Sequence, residues 1–143
     1  MSERKILAAI DLGHPEAAVK IAQEGIDQAR LKNAELNILC VLPLQTFGNL
    51  QHYLSSTVIA DINKIAQEQM RALIDELDMG DVKVKTHIKH GSVYQKVLKS
   101  CESWGCEMIV LGARHPSTFS HSLGSNAVQI SRYADVHILM LRV

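Results

Sequence analysis

The chain has 143 residues, with 15 basic side chains against 15 acidic ones and 47% hydrophobic residues. This length suits one domain with one core, and the balanced composition argues against a disordered chain and against a general nucleic-acid-binding face. No apolar stretch of the sequence reaches the roughly 18 to 20 residues of a membrane span, and the first residues lack the long apolar region of a signal peptide. We therefore predict a single cytoplasmic domain over residues 1–143, with neither nucleic acid nor a membrane as its partner.

Five short apolar segments of strand length recur along the chain. In order they read KILAAIDL, ELNILCVL, VKVKTHI, EMIVLGA and VHILMLRV. Segments that are apolar at consecutive positions indicate strands covered on both faces, whereas the alternating VKVKTHI predicts an edge strand with one face in water. The last segment is apolar almost throughout, so an uncovered edge there would be adhesive. This predicts a homodimer joined through residues 136–143.

Four segments between these strands carry apolar residues at helical spacing. The first begins with Pro15, the second stops before Gly80, the third runs from Ser92 to Gly105, and the fourth begins near Ser125. Their predicted buried residues are Ala18, Ala22, Ile26 and Ala29; then Ile62, Ala66, Met70, Leu73 and Leu77; then Val93, Val97, Cys101 and Trp104; and finally Ala127, Ile130 and Ala134. Strands alternating with helices require right-handed parallel crossovers, which predicts an α/β fold: an open, doubly wound, five-stranded parallel sheet with four helices in three layers.

A long polar stretch, LGARHPSTFSHSLGSNA, follows the fourth strand segment. In open parallel sheets, ligands bind beyond the carboxyl ends of the strands, where the winding direction reverses. Gly112 lacks a side chain there, and the free amides at the start of the last helix, around Gly124 and Ser125, favour an anion. Asn126 adds a further uncharged donor. The pattern predicts a phosphate site, and the alternative is that Gly112 permits a turn while Ser125 caps a helix.

Three cysteines, Cys40, Cys101 and Cys106, form an odd set without metal-ligand spacing. Free buried thiols are predicted, and a redox pair of Cys101 with Cys106 is the alternative, although their spacing is not CxxC. The seven histidines form no recognisable set of metal ligands, so no metal site is predicted.

The segments ILAAIDLG, VLP, HGSVYQKV and LGARHP...LGSNA resemble the universal stress protein family, in particular its short bacterial F and G types. The resemblance covers residues 3–143 and implies the adenine nucleotide alpha hydrolase-like fold. Family members with the motif G-x-x-G-x9-G-S/T bind ATP, which implies that Gly112 is the first glycine, Gly124 the last, and Ser125 the hydroxyl that meets the phosphates. His115 stands in place of the middle glycine, and the interval to Gly124 is one residue shorter.

The same resemblance implies that Asp11 lies near the ribose and adenine, and that the backbone of Val41 meets the base. Asp11 has the alternative role of fastening the turn before His14, and Val41 that of plain core. Arg114 and His115 are candidates for pairing with a triphosphate. Leu111, next to Gly112, and Asn126 complete the predicted nucleotide site.

Residues 112–126 contain no acid and no lysine, whereas phosphoryl transfer needs a metal-holding carboxylate and usually a lysine. The predicted function is therefore binding of ATP, with or without Mg²⁺, by a nucleotide-responsive stress or signalling factor. Any hydrolysis or self-modification is expected to be slow. The alternative is a structural or chaperone-like dimer that binds no nucleotide, a hypothesis that His115 keeps open.

Overall fold

The computed structural model describes residues 3–43, 56–113 and 124–143 of the chain. Within these residues, five strands alternate with four helices. In chain order they are β1 (Lys5–Ile10), α1 (Pro15–Lys32), β2 (Glu35–Leu42), α2 (Ser56–Asp75), β3 (Val84–His90), α3 (Val93–Trp104), β4 (Met108–Ala113), α4 (Ser125–Tyr133) and β5 (His137–Arg142).

The five strands form one parallel sheet in the order β3-β2-β1-β4-β5. From β1 the chain winds outward through β2 to β3, and it then returns to the other side of β1 for β4 and β5. The direction of winding reverses between β1 and β4. This order confirms the predicted doubly wound sheet, and it places the alternating segment, β3, at an edge as expected.

Successive residues of the central strand point to opposite faces of the sheet, which is why the core has two halves. Ile6, Ala8 and Ile10 pack toward α1 and α2, whereas Leu7 packs toward α3 and α4. Both faces of the sheet are thus covered, which confirms the three layers. Each fully buried Leu or Ile side chain contributes about 1.5–3 kcal/mol to this arrangement.

The helices bury most of the residues that their spacing predicted. All four predicted residues of α1 are buried, as are Ala66, Met70 and Leu73 in α2, Val97 and Cys101 in α3, and Ala127 and Ile130 in α4. Partly exposed instead are Ile62, Leu77, Val93, Trp104 and Ala134. Val93 and Trp104 are the end residues of α3, and Leu77 and Ala134 lie just beyond the last turns of α2 and α4, whereas Ile62 lies within α2. None of the helices in the described ranges is long and apolar enough to cross a membrane.

Candidate functional site

The carboxyl edge of the sheet, meaning the side on which the parallel strands end, carries the candidate site. The ends of β1, β2 and β4 meet there, beside the first turns of α3 and α4. Seven predicted residues are described at or near this edge: Asp11, Val41, Leu111, Gly112, Gly124, Ser125 and Asn126. Arg114 and His115 lie outside the described residues.

Asp11 follows the last residue of β1, and its side chain is 71% exposed. One carboxylate oxygen accepts the Gly13 backbone N–H at 2.8 Å, and the other lies 3.0 Å from Nδ1 of His14. The alternative role, fastening the turn before α1, is therefore realised in the structure. Because the side chain remains largely exposed, it can still accept a hydrogen bond from a ligand hydroxyl.

His14 is a member of this edge that the sequence reasoning treated only as the residue before Pro15. It occupies the N-cap position of α1, and its side chain is 77% exposed. When protonated, the imidazole forms an ion pair with Asp11. The signal that identifies it is the spacing of three residues after an acid at a strand end, since that spacing closes a turn.

Val41 and Leu111 contribute buried side chains beneath the edge. Val41 is 7% exposed and Leu111 is 3% exposed, and both pack in the core half next to α3 and α4. The ladder between β1 and β2 ends where Ile10 pairs with Cys40, so Val41 extends past the end of β1. The Val41 side chain is core, as the alternative held, while its backbone reaches the carboxyl edge.

Gly112 lies inside β4, which ends at Ala113 as the segment EMIVLGA indicated. A Cβ atom at this position would stand 2.8 Å from Cδ1 of Ile21 and 2.8 Å from Cγ2 of Val143. Such distances are too short for real side chains. The missing side chain of Gly112 thus makes room for α1 and for the end of the chain.

Gly124 is the N-cap residue of α4, with φ 93° and ψ 145°. Only glycine adopts this backbone region at low cost, and the Gly124 carbonyl accepts the first intrahelical bond, from Val128 N–H at 3.1 Å. Ser125 is the first helical residue and is exposed. The start of α4 therefore agrees with the predicted boundary, and no side-chain cap bonds to it within the described residues.

Asn126 joins the first turns of two helices. Its Oδ1 atom accepts the backbone N–H of Tyr94, in the first turn of α3, at 3.1 Å. Its amide nitrogen keeps its capacity as a donor. Neither helix has an acidic residue in its first turn, so two positive helix-dipole ends lie side by side at the carboxyl edge. The arrangement can bind an anion without a cationic surface.

A second polar group of residues lies between β3 and α3, and we call it the β3 polar cluster: Glu35, Asn37, His87, Lys89, Ser100 and Trp104. Asn37 Oδ1 lies 2.9 Å from Nε2 of His87, whose ring stacks on Trp104 with centroids 4.2 Å apart. Lys89 donates to the hydroxyl of buried Ser100 at 2.7 Å, with its ammonium group 4.7 Å from the Trp104 ring centroid.

Burial and neighbouring charges oppose each other at Glu35 and act in the same direction at His87. The Glu35 side chain is 3% exposed, and one carboxylate oxygen lies 3.2 Å from Lys85 and 3.6 Å from Lys83. Burial raises the pKa of Glu35, but Lys85 and the other partners outweigh it and leave the pKa below its usual value. Burial and the ammonium groups of Lys89 and Lys85 lower the pKa of His87.

The parts of the chain that the structure describes give no support for a metal-binding site. Across residues 3–43, 56–113 and 124–143, no three His, Cys, Asp or Glu side chains come together in a way that holds a metal ion. His115 and His121 lie outside these ranges. The chemistry that the described edge offers is hydrogen bonding by helix amides, by Asn126 and by the Asp11 carboxylate.

Residues 3–142 match the model of the Universal stress protein family. Universal stress protein G of Shigella flexneri is 32% identical over 77 residues, which is 54% of this chain and 54% of that protein. That alignment thus spans about half the length of the relative. Universal stress protein G of Salmonella typhimurium is 25% identical over 146 residues, covering 97% of this chain and 99% of that protein.

Solved structures with the same fold cover nearly the whole chain. Hypothetical protein MJ0577 has a TM-score of 0.79 at 21% identity, over 100% of this chain and 98% of that one. A universal stress protein from Archaeoglobus fulgidus in complex with dAMP has a TM-score of 0.67 at 15% identity, over 98% of each chain. One in complex with cAMP has a TM-score of 0.61 at 16% identity, over 99% of this chain and 98% of that one. The family model matches nearly the full length of the chain, and the predicted strands and helices form the doubly wound sheet described above. This chain belongs to the universal stress protein family.

Proposed function

We propose that this protein binds ATP, with or without Mg²⁺, at the carboxyl edge of its sheet and acts in the cytoplasm as a nucleotide-responsive stress or signalling factor. The observation that supports it best is the juxtaposition of the α3 and α4 N-termini through Asn126, next to the point where the winding reverses. Two proteins of the same fold have structures in complex with the adenine nucleotides cAMP and dAMP.

In this proposal each part of the edge meets a different part of the nucleotide. The amides of Gly124 and Ser125 and the Ser125 hydroxyl receive the phosphates, helped by the amide nitrogen of Asn126. Asp11 accepts a hydrogen bond from the ribose or the exocyclic amine, and the backbone of Val41 meets the base. Leu111 and Gly112 form the floor beneath the phosphates, and Arg114 and His115 are proposed to pair with them.

In this proposal the main activity of the protein is binding of the nucleotide, not its chemical conversion. Residues 112–126 contribute no acid and no lysine, so a metal-holding carboxylate and a phosphate lysine are lacking in that segment. Binding changes how a homodimer joined through residues 136–143 presents itself to partner proteins. Hydrolysis and self-modification are at most slow side reactions.

Titration calorimetry with ATP, in the presence and absence of Mg²⁺, tests the proposal on the unmodified chain and on Gly124→Val. The valine side chain obstructs the phosphates, so we expect affinity to fall at least about tenfold, or about 1.4 kcal/mol. Because Gly124 has a positive φ, valine also strains the backbone there. The matched control is Gly105→Val, another positive-φ glycine, with open space around it and at the far end of α3.

A second variant tests the same site without straining the backbone. Asp11→Asn keeps the size of the side chain and loses its charge, so we expect weaker ATP binding with a thermal midpoint close to that of the unmodified chain. GTP serves as the control ligand for base recognition. Unchanged ATP affinity in both Gly124→Val and Asp11→Asn would exclude this site.

The competing function is a structural or chaperone-like dimer without a nucleotide. Two observations favour it: the place of a Gly112 side chain is occupied by Ile21 and Val143, and both oxygens of Asp11 already bond within the turn. Heat-released supernatant of the purified protein separates the two functions. Bound adenine nucleotide in it supports the sensor, whereas its absence together with a flat titration supports the structural dimer.

A further inference from the structure

The C-terminal end of α3 is closed by two nested backbone hydrogen bonds. Gly105, which follows the helix, has φ 71° and ψ 37°, the left-handed conformation. Its N–H bonds to the carbonyl of Glu102 at 3.2 Å, and the next N–H, of Cys106, bonds back to the carbonyl of Cys101 at 3.0 Å. This pair of bonds defines a Schellman motif, and it fixes which residues meet across the turn.

In a Schellman motif, the residue that follows the glycine contacts the residue five positions before it, usually as a hydrophobic pair. Here these two positions are Cys106 and Cys101, so the contact is between two thiols. The Cys101 thiol donates to the carbonyl oxygen of Cys106 at 3.6 Å, across the same turn. The thiols therefore meet without the CxxC spacing that usually indicates a redox pair.

The backbone at this turn holds the two residues close together. A disulfide requires Cα atoms about 4.4–6.8 Å apart. The 3.0 Å bond from Cys106 N–H to the Cys101 carbonyl connects the same two residues, so by standard bond lengths their Cα atoms are at most about 7 Å apart. We expect side-chain rotation within this turn to bring the two sulfur atoms together.

The two thiols are buried next to an exposed stretch of chain. Cys101 and Cys106 are each 5% exposed, while their chain neighbours Glu102, Ser103 and Gly105 are exposed. Helix ends open more readily than helix centres, so a small oxidant reaches this site without global unfolding. Cys40 is 2% exposed and lies in the other half of the core, under α1 and α2, which makes it an internal comparison.

We propose that Cys101 and Cys106 are a peroxide-sensitive pair that closes into a reversible disulfide at the end of α3. One of the two sulfur atoms, as its thiolate, attacks hydrogen peroxide, the O–O bond breaks, and a sulfenic acid and hydroxide form. The other sulfur atom then displaces hydroxide from that sulfenic acid to give the S–S bond. The two thiol protons combine with the two hydroxides as water, and the two electrons lost by the thiols reduce the peroxide.

The contact also couples the ionisation of the two thiols. It lowers the pKa of Cys101, while the same contact and burial raise the pKa of Cys106. The Cys101 thiol in turn donates to the Cys106 carbonyl, a bond that favours its protonated form. Either sulfur atom can therefore start the reaction as the thiolate, and the pairing is independent of nucleotide binding.

The test uses the unmodified chain and its own glutamates. Folded protein is treated with hydrogen peroxide at a dose that fully oxidises glutathione, then unfolded in N-ethylmaleimide and cleaved after glutamate. Glu102 lies between the two cysteines, so they fall in fragments 77–102 and 103–107, while Cys40 falls in fragment 36–68. We expect the first two fragments to run as one species, two hydrogens lighter than their sum and separated by dithiothreitol, with Cys40 carrying maleimide.

Two results would overturn the proposal: both fragments recovered separately with one maleimide each, or Cys40 oxidised before either of them. The route is tested with Cys106→Ser and Cys101→Ser, in which the serine hydroxyl keeps a donor at the contact. Neither variant should give the linked species, and dimedone should label the remaining cysteine of each as a sulfenic acid. No label on that cysteine in both variants would overturn the route through a sulfenic acid.

Discussion

The two edge strands of the sheet differ in how they meet their surroundings. β3 carries Lys85, His87 and Lys89 on the face toward α3, where they belong to or border the β3 polar cluster. β5 carries Ile138, Leu139, Met140 and Leu141 in succession, all partly exposed. Each strand has a single neighbour among the described residues.

Charged side chains on an edge strand disfavour pairing with another strand, and lysine is the residue most often used for this. An uncharged apolar edge has the opposite effect. The comparison therefore indicates that the β3 edge is built to remain in water, whereas the β5 edge supports the proposed homodimer. The four predictions below test this difference, and the largest effect comes first.

Leu139→Asp should convert the proposed homodimer into monomers. A carboxylate on β5 would have to be buried at the proposed interface, and we expect dimerisation to weaken about a hundredfold, or about 2.7 kcal/mol. Light scattering coupled to size exclusion measures the mass. The control is Thr86→Asp on β3, an exposed position at the other edge, which should leave the mass unchanged. A folded Leu139→Asp protein that remains dimeric would refute this interface.

Lys85→Met should lower the free energy of unfolding by about 2 kcal/mol, because it removes the nearer of the two cations and leaves the buried Glu35 carboxylate with Lys83 at 3.6 Å and the Asn37 amide at 3.5 Å. The matched variant Glu35→Gln should cost less, since the two lysines are half exposed and water solvates them. Urea unfolding of both variants gives the comparison. Equal losses would mean that the ion pair contributes nothing specific.

Ser100→Ala should destabilise the chain by about 1 kcal/mol, because the Lys89 ammonium group loses its 2.7 Å bond to a buried hydroxyl. Burial and the neighbouring ammonium groups of Lys96 and Lys99 lower the pKa of Lys89, and losing the acceptor removes support for the charged form. The control is Ser103→Ala, an exposed serine on the same helix. Chemical denaturation should separate the two variants.

The β3 polar cluster should also make stability depend on pH. In the folded chain the pKa of His87 lies below 6.5, so the unfolded chain binds the proton more readily. Stability is therefore fully present above about pH 6.5 and decreases as the pH falls toward the folded value. His87→Gln should flatten the curve between pH 7.5 and pH 5.5, a smaller change than those above. An identical slope in both proteins would assign the pH dependence to other groups.

The sheet order and the helix faces follow from local patterns that the sequence displays. Runs such as ILAAI and ILCVL predict strands covered on both faces, and β1 and β2 are buried as expected. The alternation of VKVKTHI predicted the edge position, but its polar face is not simply in water. His87 and Lys89 lie half-buried under Trp104 and Ser100, a contact between elements that spacing along one strand does not reveal.

The candidate site was predictable in location more than in contacts. The strand ends and the helix start at Gly124 and Ser125 are marked by short sequence patterns, so they could be predicted from the sequence. The packing of Gly112 against Ile21 and Val143, and the bond from Tyr94 to Asn126, join residues distant in the chain and leave no local pattern. The contact of Cys101 with Cys106, by contrast, could be predicted from the sequence. Gly105 marks the end of α3, and a helix that ends at a glycine brings the residues at positions 101 and 106 together. The CxxC criterion alone does not detect such a pair.

Asn126 lies at one end of a helix whose other end carries the sulfur pair. Its bond from the Tyr94 N–H ties the first turn of α4 to that of α3. The twelve residues of α3 span about 18 Å, so a tilt of roughly 5° at its start would displace its far end by about 1.6 Å. The carboxyl edge of the sheet and the sulfur pair are thus joined by a single rod.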